Sequence, residues 1–310
     1  MNCKVLIAVV GPTAIGKTAL GIGLAQHFNT EIISADSRQF FKEMEIGTAV
    51  PSKEELKAAV HHFIQHKSIF DPYSVGDFEK DAIELLSKLF RKQDVAIMVG
   101  GSGLYVDAVV NGLDEFPEVD PKIRESLNQK LDEEGLNSLQ EELKERDPSY
   151  YKIVDIENPH RLIRALEVSI MANKPYSTFL NQSKPKREFK ALYVGIEAPR
   201  EVIYKRINTR VDLMMQAGLL KEVQKLHPYK HLNALQTVGY KELFEYLDGH
   251  CPLDTAVSEI KKNTRRFAKR QLTWLRKNQN ILWVDHKTEP KNIFKAVSDQ
   301  LNNICHGQEQ

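Results

Sequence analysis

Little in this sequence of 310 residues points to a specialised environment. Cysteine is scarce: Cys3, Cys251 and Cys305 are odd in number and far apart. No Cys-x-x-Cys pair occurs, so neither a zinc site nor a disulfide framework is expected, and reduced thiols are the simplest reading. Long apolar runs are missing too. The run Val5 to Val10 is short and passes straight into Gly11-Pro12 without a small-residue cleavage site. It reads as a buried strand rather than a signal peptide. No stretch approaches the roughly 20 apolar residues that span a bilayer, so a cytoplasmic protein without membrane partners is expected. Net charge is nearly absent, at +1, so any nucleic-acid surface has to be a local patch. Internal repeats and low-complexity segments are lacking as well. What remains, 42% hydrophobic and 27% charged, is ordinary globular composition, enough for one large domain or two modest ones.

The first third alternates strand-like and helix-like segments. Val5 to Val10 is continuously apolar, as a strand buried on both faces should be. Thr18 to Phe28 has helical spacing, with Leu20, Leu24 and Phe28 on one side. Glu31 to Ala35 reads as a strand and Asp77 to Phe90 as a helix. Val95 to Val99 is a further buried strand, ending at Gly100-Gly101. Such alternation implies an α/β fold, a mostly parallel sheet flanked by helices. The texture changes near residue 114: Asp114 to Glu145 holds eleven acidic and four basic residues, and strand signals vanish. Residues 115–185 therefore read as a mainly helical insertion into a core of residues 1–114 and 186–310. Strand signals return at Leu192 to Ile196 and at Ile281 to Val284, with helical segments between them.

Four segments could carry chemistry. The first, Gly11-Pro12-Thr13-Ala14-Ile15-Gly16-Lys17-Thr18, matches G-x-x-x-x-G-K-[ST] between a strand and a helix. Its backbone N–H groups and the helix N-terminus can cradle phosphate oxygens. Lys17 adds a point charge, and the Thr18 hydroxyl can ligate Mg²⁺. The second, Asp36-Ser37-Arg38-Gln39, follows a strand at its carboxyl end, where ligands bind in parallel sheets. Asp36 could be a Mg²⁺ ligand, a general base or a helix N-cap. The third, Gly100-Gly101-Ser102-Gly103-Leu104-Tyr105, stands where P-loop ATPases usually place a magnesium-holding Asp. It is either a tight turn capped at Ser102 or a backbone approach to a ligand with Ser102 as donor. The fourth, Lys261 to Lys277, holds eight basic and no acidic residues. On a helical wheel Lys262, Arg265, Arg266, Lys269 and Arg276 share a face, opposite Ala268, Leu272, Trp274 and Leu275. Uncompensated charge of this kind suggests a nearby anion, RNA backbone or diphosphate. Arg161 with Arg164 and Arg206 with Arg210 are helical pairs that could be surface salt bridges or phosphate clamps.

Taken in order, GPTAIGKT at 11–18, ADSRQ at 35–39, GGSGLY at 100–105, NPHRLIRALE at 158–167, RINTRVDLMMQAGLLKEV at 206–223, QTVGYKE at 236–242 and TRRFAKRQLTWLR at 264–276 resemble the tRNA dimethylallyltransferase family. The likeness spans nearly the whole chain. It implies a P-loop kinase-like fold and transfer of a dimethylallyl group from dimethylallyl diphosphate to N6 of the adenosine 3′-adjacent to the anticodon. Diphosphate leaves, Mg²⁺ assists, and ATP is not consumed. The same resemblance makes Asp36 the general base. Lys17, Arg210 and the loop amides become stabilisers of the leaving diphosphate, and Ser102 a retained hydroxyl where threonine is usual. As tRNA contacts it implies Asp36 to Gln39, Ser102, Arg124, His160, Arg161, Leu162, Ile163 and Arg164. It adds Gln236, Thr237, Val238, Gly239, Tyr240 and Lys241, and the basic helix is expected to add Arg266, Lys269 and Arg270. A monomer is expected. An adenylate isopentenyltransferase or a small-molecule P-loop kinase are the rival readings, as is a tRNA-binding protein without catalysis. A small acceptor needs neither the insertion nor the cationic helix.

Overall fold

The computed structural model describes residues 3–182 and 184–306, which divide into two units: Met1–Val110 with Arg187–Gln310, and Asn111–Lys186. The larger unit is built on six strands, β1 (Val5–Val10), β2 (Ile32–Ser34), β3 (His61–His62), β4 (Val95–Val99), β5 (Lys190–Glu197) and β6 (Ile281–Asp285). They form one parallel sheet in the order β3-β2-β4-β1-β5-β6. Its helices are α1 (Lys17–His27), α2 (Lys53–Ala58), α3 (Val75–Leu89) and α4 (Gly103–Asn111), the last ending at the unit boundary. The smaller unit holds α5 (Pro121–Glu134), α6 (Leu136–Arg146), α7 (Pro148–Tyr151) and α8 (Pro159–Ala172). The chain then returns through β5 to α9 (Arg200–Gln216), α10 (Leu219–Leu226), α11 (Tyr240–Leu247), α12 (Leu253–Leu275) and α13 (Pro290–His306).

The unbroken apolar run of β1 is explained by its place inside the sheet. Successive side chains point to opposite faces, and both faces are covered. Leu6, Ala8 and Val10 enter one core with Met98 and Phe78. Val5, Ile7 and Val9 enter a second core with Leu24, Ile97 and Ile207. Because β4 lies between β2 and β1, with Val99 opposite both Val9 and Ser34, the carboxyl ends of these three strands are neighbours. The segments at 11–18, 35–39 and 100–105 are thereby brought to one end of the sheet.

The helical unit has its own core, in which Leu127, Leu139, Leu143, Leu162 and Leu166 are buried with Tyr176. Its helix starts are legible as local chemistry. Asp120 accepts a hydrogen bond from the Lys122 N–H before Pro121, and Asn158 does so from the Arg161 N–H before Pro159. Asn173, at φ 50°, ends α8 in the left-handed conformation.

Two expectations are corrected. Cys3 and Cys305 form a disulfide, with Cα atoms 5.7 Å apart. Spacing along the chain conceals this because β1 begins and α13 ends against the same core. Only Cys251 is free among the described cysteines. The second is an omission: β3 is two residues long, too short to show a period in the sequence. Among the described residues, no helix is long and apolar enough to cross a membrane.

Candidate functional site

At the carboxyl end of the sheet lies a cavity of about 430 Å³ within the larger unit. Thr13 to Thr18, Asp36 to Gln39 and Gly100 to Ser102 line it, together with Arg210 of α9 and Gln271 of α12. The phosphate loop owes its shape to positive dihedrals at Gly11 (φ 148°), Ala14 (φ 65°) and Gly16 (φ 110°). Gly11 also lies so near the sheet that a Cβ there would stand 3.0 Å from the Ile196 carbonyl oxygen. α1 starts immediately after Gly16 with no acidic residue in its first turn, so the positive end of its dipole is left uncompensated at the loop.

The loop is held from outside. Arg206 donates to the Ile15 carbonyl oxygen at 2.7 Å, and Lys17 Nζ donates to the Pro12 carbonyl oxygen at 2.8 Å. The two arginines of α9 thus divide their work: Arg206 pins the loop backbone while Arg210 faces the cavity. Lys17 is depressed to about 8, chiefly by burial of its ammonium; Asp36 opposes this and Arg210 adds to it. Burial also lowers Arg210 and Arg38, and Asp36 acts against the shift in each. One carboxylate therefore sits in the field of three cations. The excess positive charge suits a multiply charged anion.

Asp36 does not cap a helix, since residues 37–40 form a turn. Its Oδ1 accepts the Arg38 N–H at 3.1 Å, and its carbonyl accepts the Gln39 N–H at 3.1 Å. Arg38 in turn donates to the Asn233 and Ala234 carbonyls at 3.0 and 2.9 Å. Gln39 is spent inside the protein, accepting from Ser34 Oγ at 3.3 Å and donating to the Thr48 and Ala49 carbonyls at 3.1 and 2.9 Å. Ser102 starts α4 through its carbonyl, which accepts from the Tyr105 and Val106 N–H groups at 3.1 and 3.2 Å. Its hydroxyl has no partner among the described residues and is available to the cavity.

Two residues missed by sequence reasoning organise these parts. Gln271 is a buried polar side chain, 8% exposed, on the otherwise apolar face of α12. Its Oε1 accepts the Thr13 N–H at 2.9 Å, and its Nε2 donates to the Gly101 carbonyl at 2.7 Å. One amide thus ties the phosphate loop to the loop after β4, and a Cβ on Gly101 would run into it. A glutamine among Ala268, Leu272 and Leu275 was the available signal. The second is Glu222 of α10. Its carboxylate accepts the backbone N–H groups of Glu45, Ile46 and Gly47 at 3.1, 2.8 and 3.0 Å, and the Tyr240 hydroxyl at 2.6 Å. It fixes the segment that leads into the cavity wall at Gly47 to Ala49.

Part of the wall is apolar: Ile207, Val211 and Met214 of α9, Leu219 of α10, Val238, and Ile260 and Phe267 of α12. The cavity can therefore hold an anion and a hydrocarbon together. Among the described residues no three His, Cys, Asp or Glu side chains cluster as a metal cage. The Thr18 hydroxyl and the Asp36 carboxylate line the same cavity. Those are hard oxygen donors of the kind Mg²⁺ accepts when phosphate oxygens and water complete its shell, so the donor set fits that ion.

The remaining expected contacts are scattered. Thr237, Val238 and Gly239 line the cavity, whereas Gln236 and Lys241 are exposed. Tyr240 is wholly buried, and burial next to the Glu222 carboxylate pushes its hydroxyl far up, so its side chain offers nothing to an RNA. Within the helical unit, Leu162 and Ile163 likewise belong to the core, which removes their side chains from any surface contact. His160 and Arg161 are exposed there. Arg124 grips Glu167 through two bonds of 2.6 and 2.8 Å, and Arg164 adds a third of 2.6 Å. Burial pushes Glu167 up, but the two arginines outweigh it and hold the carboxyl below its ordinary range. On α12 two of the eight cations are neutralised, Lys261 by Asp212 at 2.6 Å and Lys262 by Glu259 at 2.9 Å. Arg266, Lys269 and Arg270 are exposed. Trp274, assigned to the apolar side of this helix, is instead 44% exposed.

Comparison with known proteins agrees with this geometry. The family model described as IPP transferase matches residues 39–278. A tRNA dimethylallyltransferase of Christiangramia forsetii is 63% identical over 96% of this chain and 98% of its own length. One of Flavobacterium johnsoniae is 56% identical over 97% and 99%. The crystal structure of a tRNA isopentenylpyrophosphate transferase from Bacillus halodurans superimposes with a TM-score of 0.74 at 33% identity, over 99% and 100% of the two chains. A eukaryotic dimethylallyltransferase acting on tRNA gives 0.80 at 25% identity, over 97% of this chain and 78% of that one. With its parallel sheet, phosphate loop and matching motifs over almost its full length, this chain belongs to the tRNA dimethylallyltransferase family.

Proposed function

We propose that this enzyme transfers the dimethylallyl group of dimethylallyl diphosphate to N6 of the adenosine immediately 3′ of the anticodon in tRNA. The observation that carries the reading is one cavity lined by cations, a carboxylate and apolar side chains. An allylic diphosphate needs the first and last, and an amine that must lose a proton needs the second. The N6–C bond forms as the allylic C–O bond breaks. The bonding electrons leave with diphosphate, and the N6 proton goes to Asp36.

Each residue has a stated task. Lys17, Arg210 and the amides of Ala14 to Thr18 receive the charge that builds on the leaving group. The Thr13 amide is already taken by Gln271, so it orders the loop rather than the ligand. Ser102 presents its hydroxyl to the reacting end. Thr18 would hold Mg²⁺ with the diphosphate; the ion would supply charge neutralisation to the leaving oxygens. The apolar wall shields the allylic group from water. Arg124, His160, Arg161 and Arg164, with the exposed cations of α12, supply charge for the tRNA backbone. The enzyme works as a cytoplasmic monomer, where tRNA is available.

The test is mass spectrometry of unmodified tRNA after incubation with dimethylallyl diphosphate and Mg²⁺. An adenosine heavier by one isoprene unit is expected. Phosphoryl transfer from labelled ATP, without that mass increase, would turn the reading toward a kinase. Asp36→Ala is expected to reduce turnover by about 10²- to 10⁴-fold while tRNA affinity stays within a few-fold. Activity surviving near the wild-type level would remove Asp36 from its role.

A further inference from the structure

The turn that carries Asp36 is held by side chains that reach out of it. Gln39, whose N–H donates to the Asp36 carbonyl at 3.1 Å, gives its side-chain amide to the Thr48 and Ala49 carbonyls at 3.1 and 2.9 Å. Arg38, whose N–H donates to Asp36 Oδ1 at 3.1 Å, gives its guanidinium to the Asn233 and Ala234 carbonyls at 3.0 and 2.9 Å. Both anchoring segments lead to one group, the Glu222 carboxylate of α10. Three successive N–H groups, those of Glu45, Ile46 and Gly47, converge on it directly before Thr48. Such a nest of amides is complementary to an anion. On the other branch, the chain runs from Ala234 through the turn at Gly239 to Tyr240, whose hydroxyl donates to the same carboxylate at 2.6 Å. The Tyr240 ring packs on Gly47, where a Cβ would lie 2.5 Å from it, so the two branches also touch each other.

Among the described residues, the hydrogen bond that the Asp36 carboxylate accepts comes from within its own turn, from the Arg38 N–H. Its direction is therefore set by the turn backbone. A general base has to meet its proton within hydrogen-bond reach, and a misplacement of about 1 Å can cost roughly a hundredfold in rate. We propose that Glu222 is a positioning residue for the general base. It holds Gly47 to Ala49 against Gln39 and, through Tyr240, steadies the segment that receives Arg38, and so fixes the Asp36 carboxylate toward the reacting amine. This rests on the reading of Asp36 as the base given above. The phosphate loop is held separately, by Gln271 and Arg206. Disturbing Glu222 should therefore strike proton transfer and spare diphosphate binding.

Glu222→Gln keeps one acceptor oxygen and turns an NH₂ toward N–H or O–H donors. Prenylation of an unmodified anticodon stem-loop RNA is followed in single turnover, with enzyme in excess and dimethylallyl diphosphate saturating, so that slow variants are read on the same scale. Glu222→Gln should slow this step roughly ten- to hundredfold while the KM for dimethylallyl diphosphate stays within about twofold. In an Asp36→Ala background the same substitution should cost less than about twofold, because no base is left to misplace. Tyr240→Phe keeps the ring on Gly47 and removes a single bond. It should show the same pattern at roughly three- to tenfold, and it decides the matter where Glu222→Gln lowers the thermal midpoint too far to assay. Losses that multiply with Asp36→Ala, or folded variants that turn over at the wild-type rate, would overturn the proposal and leave Glu222 a structural tie. Asp36→Ala alone separates the two levels. Turnover near the wild-type rate in that variant defeats the base assignment beneath, whereas a slowed Asp36→Ala with an unaffected Glu222→Gln defeats the positioning role only.

Discussion

Gln271 offers the sharpest test of how the cavity is held together. Replacing it by leucine deletes both bonds of its amide and leaves the Thr13 N–H and the Gly101 carbonyl without partners. Each orphaned buried group costs about 1–3 kcal/mol, which bounds the loss at about 2–6 kcal/mol. Cavity water can reach both groups, so the lower end applies. That loss of about 2 kcal/mol should appear as a lower thermal midpoint, and the KM for dimethylallyl diphosphate should rise as the two loops lose their tie. Gln271→Glu separates geometry from charge. It keeps an acceptor for Thr13, loses the donor to Gly101 and adds a negative charge. A Cβ on Gly101 would touch the Gln271 amide and stand 3.5 Å from Lys17 Nζ, so the new carboxylate would lie close to that ammonium. It should raise the KM for the diphosphate more than the leucine does, and raise Lys17 from its depressed value of about 8. The assays are thermal unfolding and steady-state prenylation at saturating tRNA across a pH series. If both variants fold, keep the wild-type KM and show the wild-type alkaline limb, the bridge has no part in holding the site.

Three further outcomes follow from other observations. Lys17 holds its proton only below about 8, so kcat/KM for dimethylallyl diphosphate should fall about tenfold per pH unit above that point, rather than above 10.5; a profile flat to about pH 10 would contradict the burial argument, and Lys17→Arg should remove the limb. Glu167→Gln removes the anion between Arg124 and Arg164, both more than one-third exposed, so the loss after screening is about 1–2 kcal/mol, read as a lower denaturation midpoint in the helical unit; an unchanged midpoint would refute it. Thiol titration of the unfolded chain should find one free cysteine without reductant and three with it, and Cys305→Ser should lower the thermal midpoint. Three thiols before reduction would break that pairing.

The sheet was legible because each core strand carries an unbroken apolar run, and β1 and β4 were bounded to the residue. The phosphate loop was legible because its chemistry is local: glycines at positive φ, a lysine and a hydroxyl in eight consecutive residues. The cradle around it was not. Gln271 lies 258 positions from Thr13, and Glu222 lies 175 from Gly47, so neither carries a local signature. The motif readings also treated neighbouring residues alike. In Gln236 to Lys241 the backbone turns inward at Gly239 and buries Tyr240 while leaving Gln236 exposed. Along α12, periodicity sorted residues by polarity and so placed Trp274 inside. Only the end of the cavity, beyond Gln271, determines that the indole meets solvent.

The union of Cys3 and Cys305 has a topological consequence. With Cα atoms 5.7 Å apart, the two ends of the larger unit close the backbone into a ring, and Asn111–Lys186 becomes a loop borne on that ring. Such a chain can be re-cut. A short peptide joining position 3 to position 305 would replace the sulfur link, and the chain could be opened in the exposed, polar stretch near Lys184 to Lys186. The parallel sheet would keep every neighbour it has now, while the order of the motifs along the gene would change.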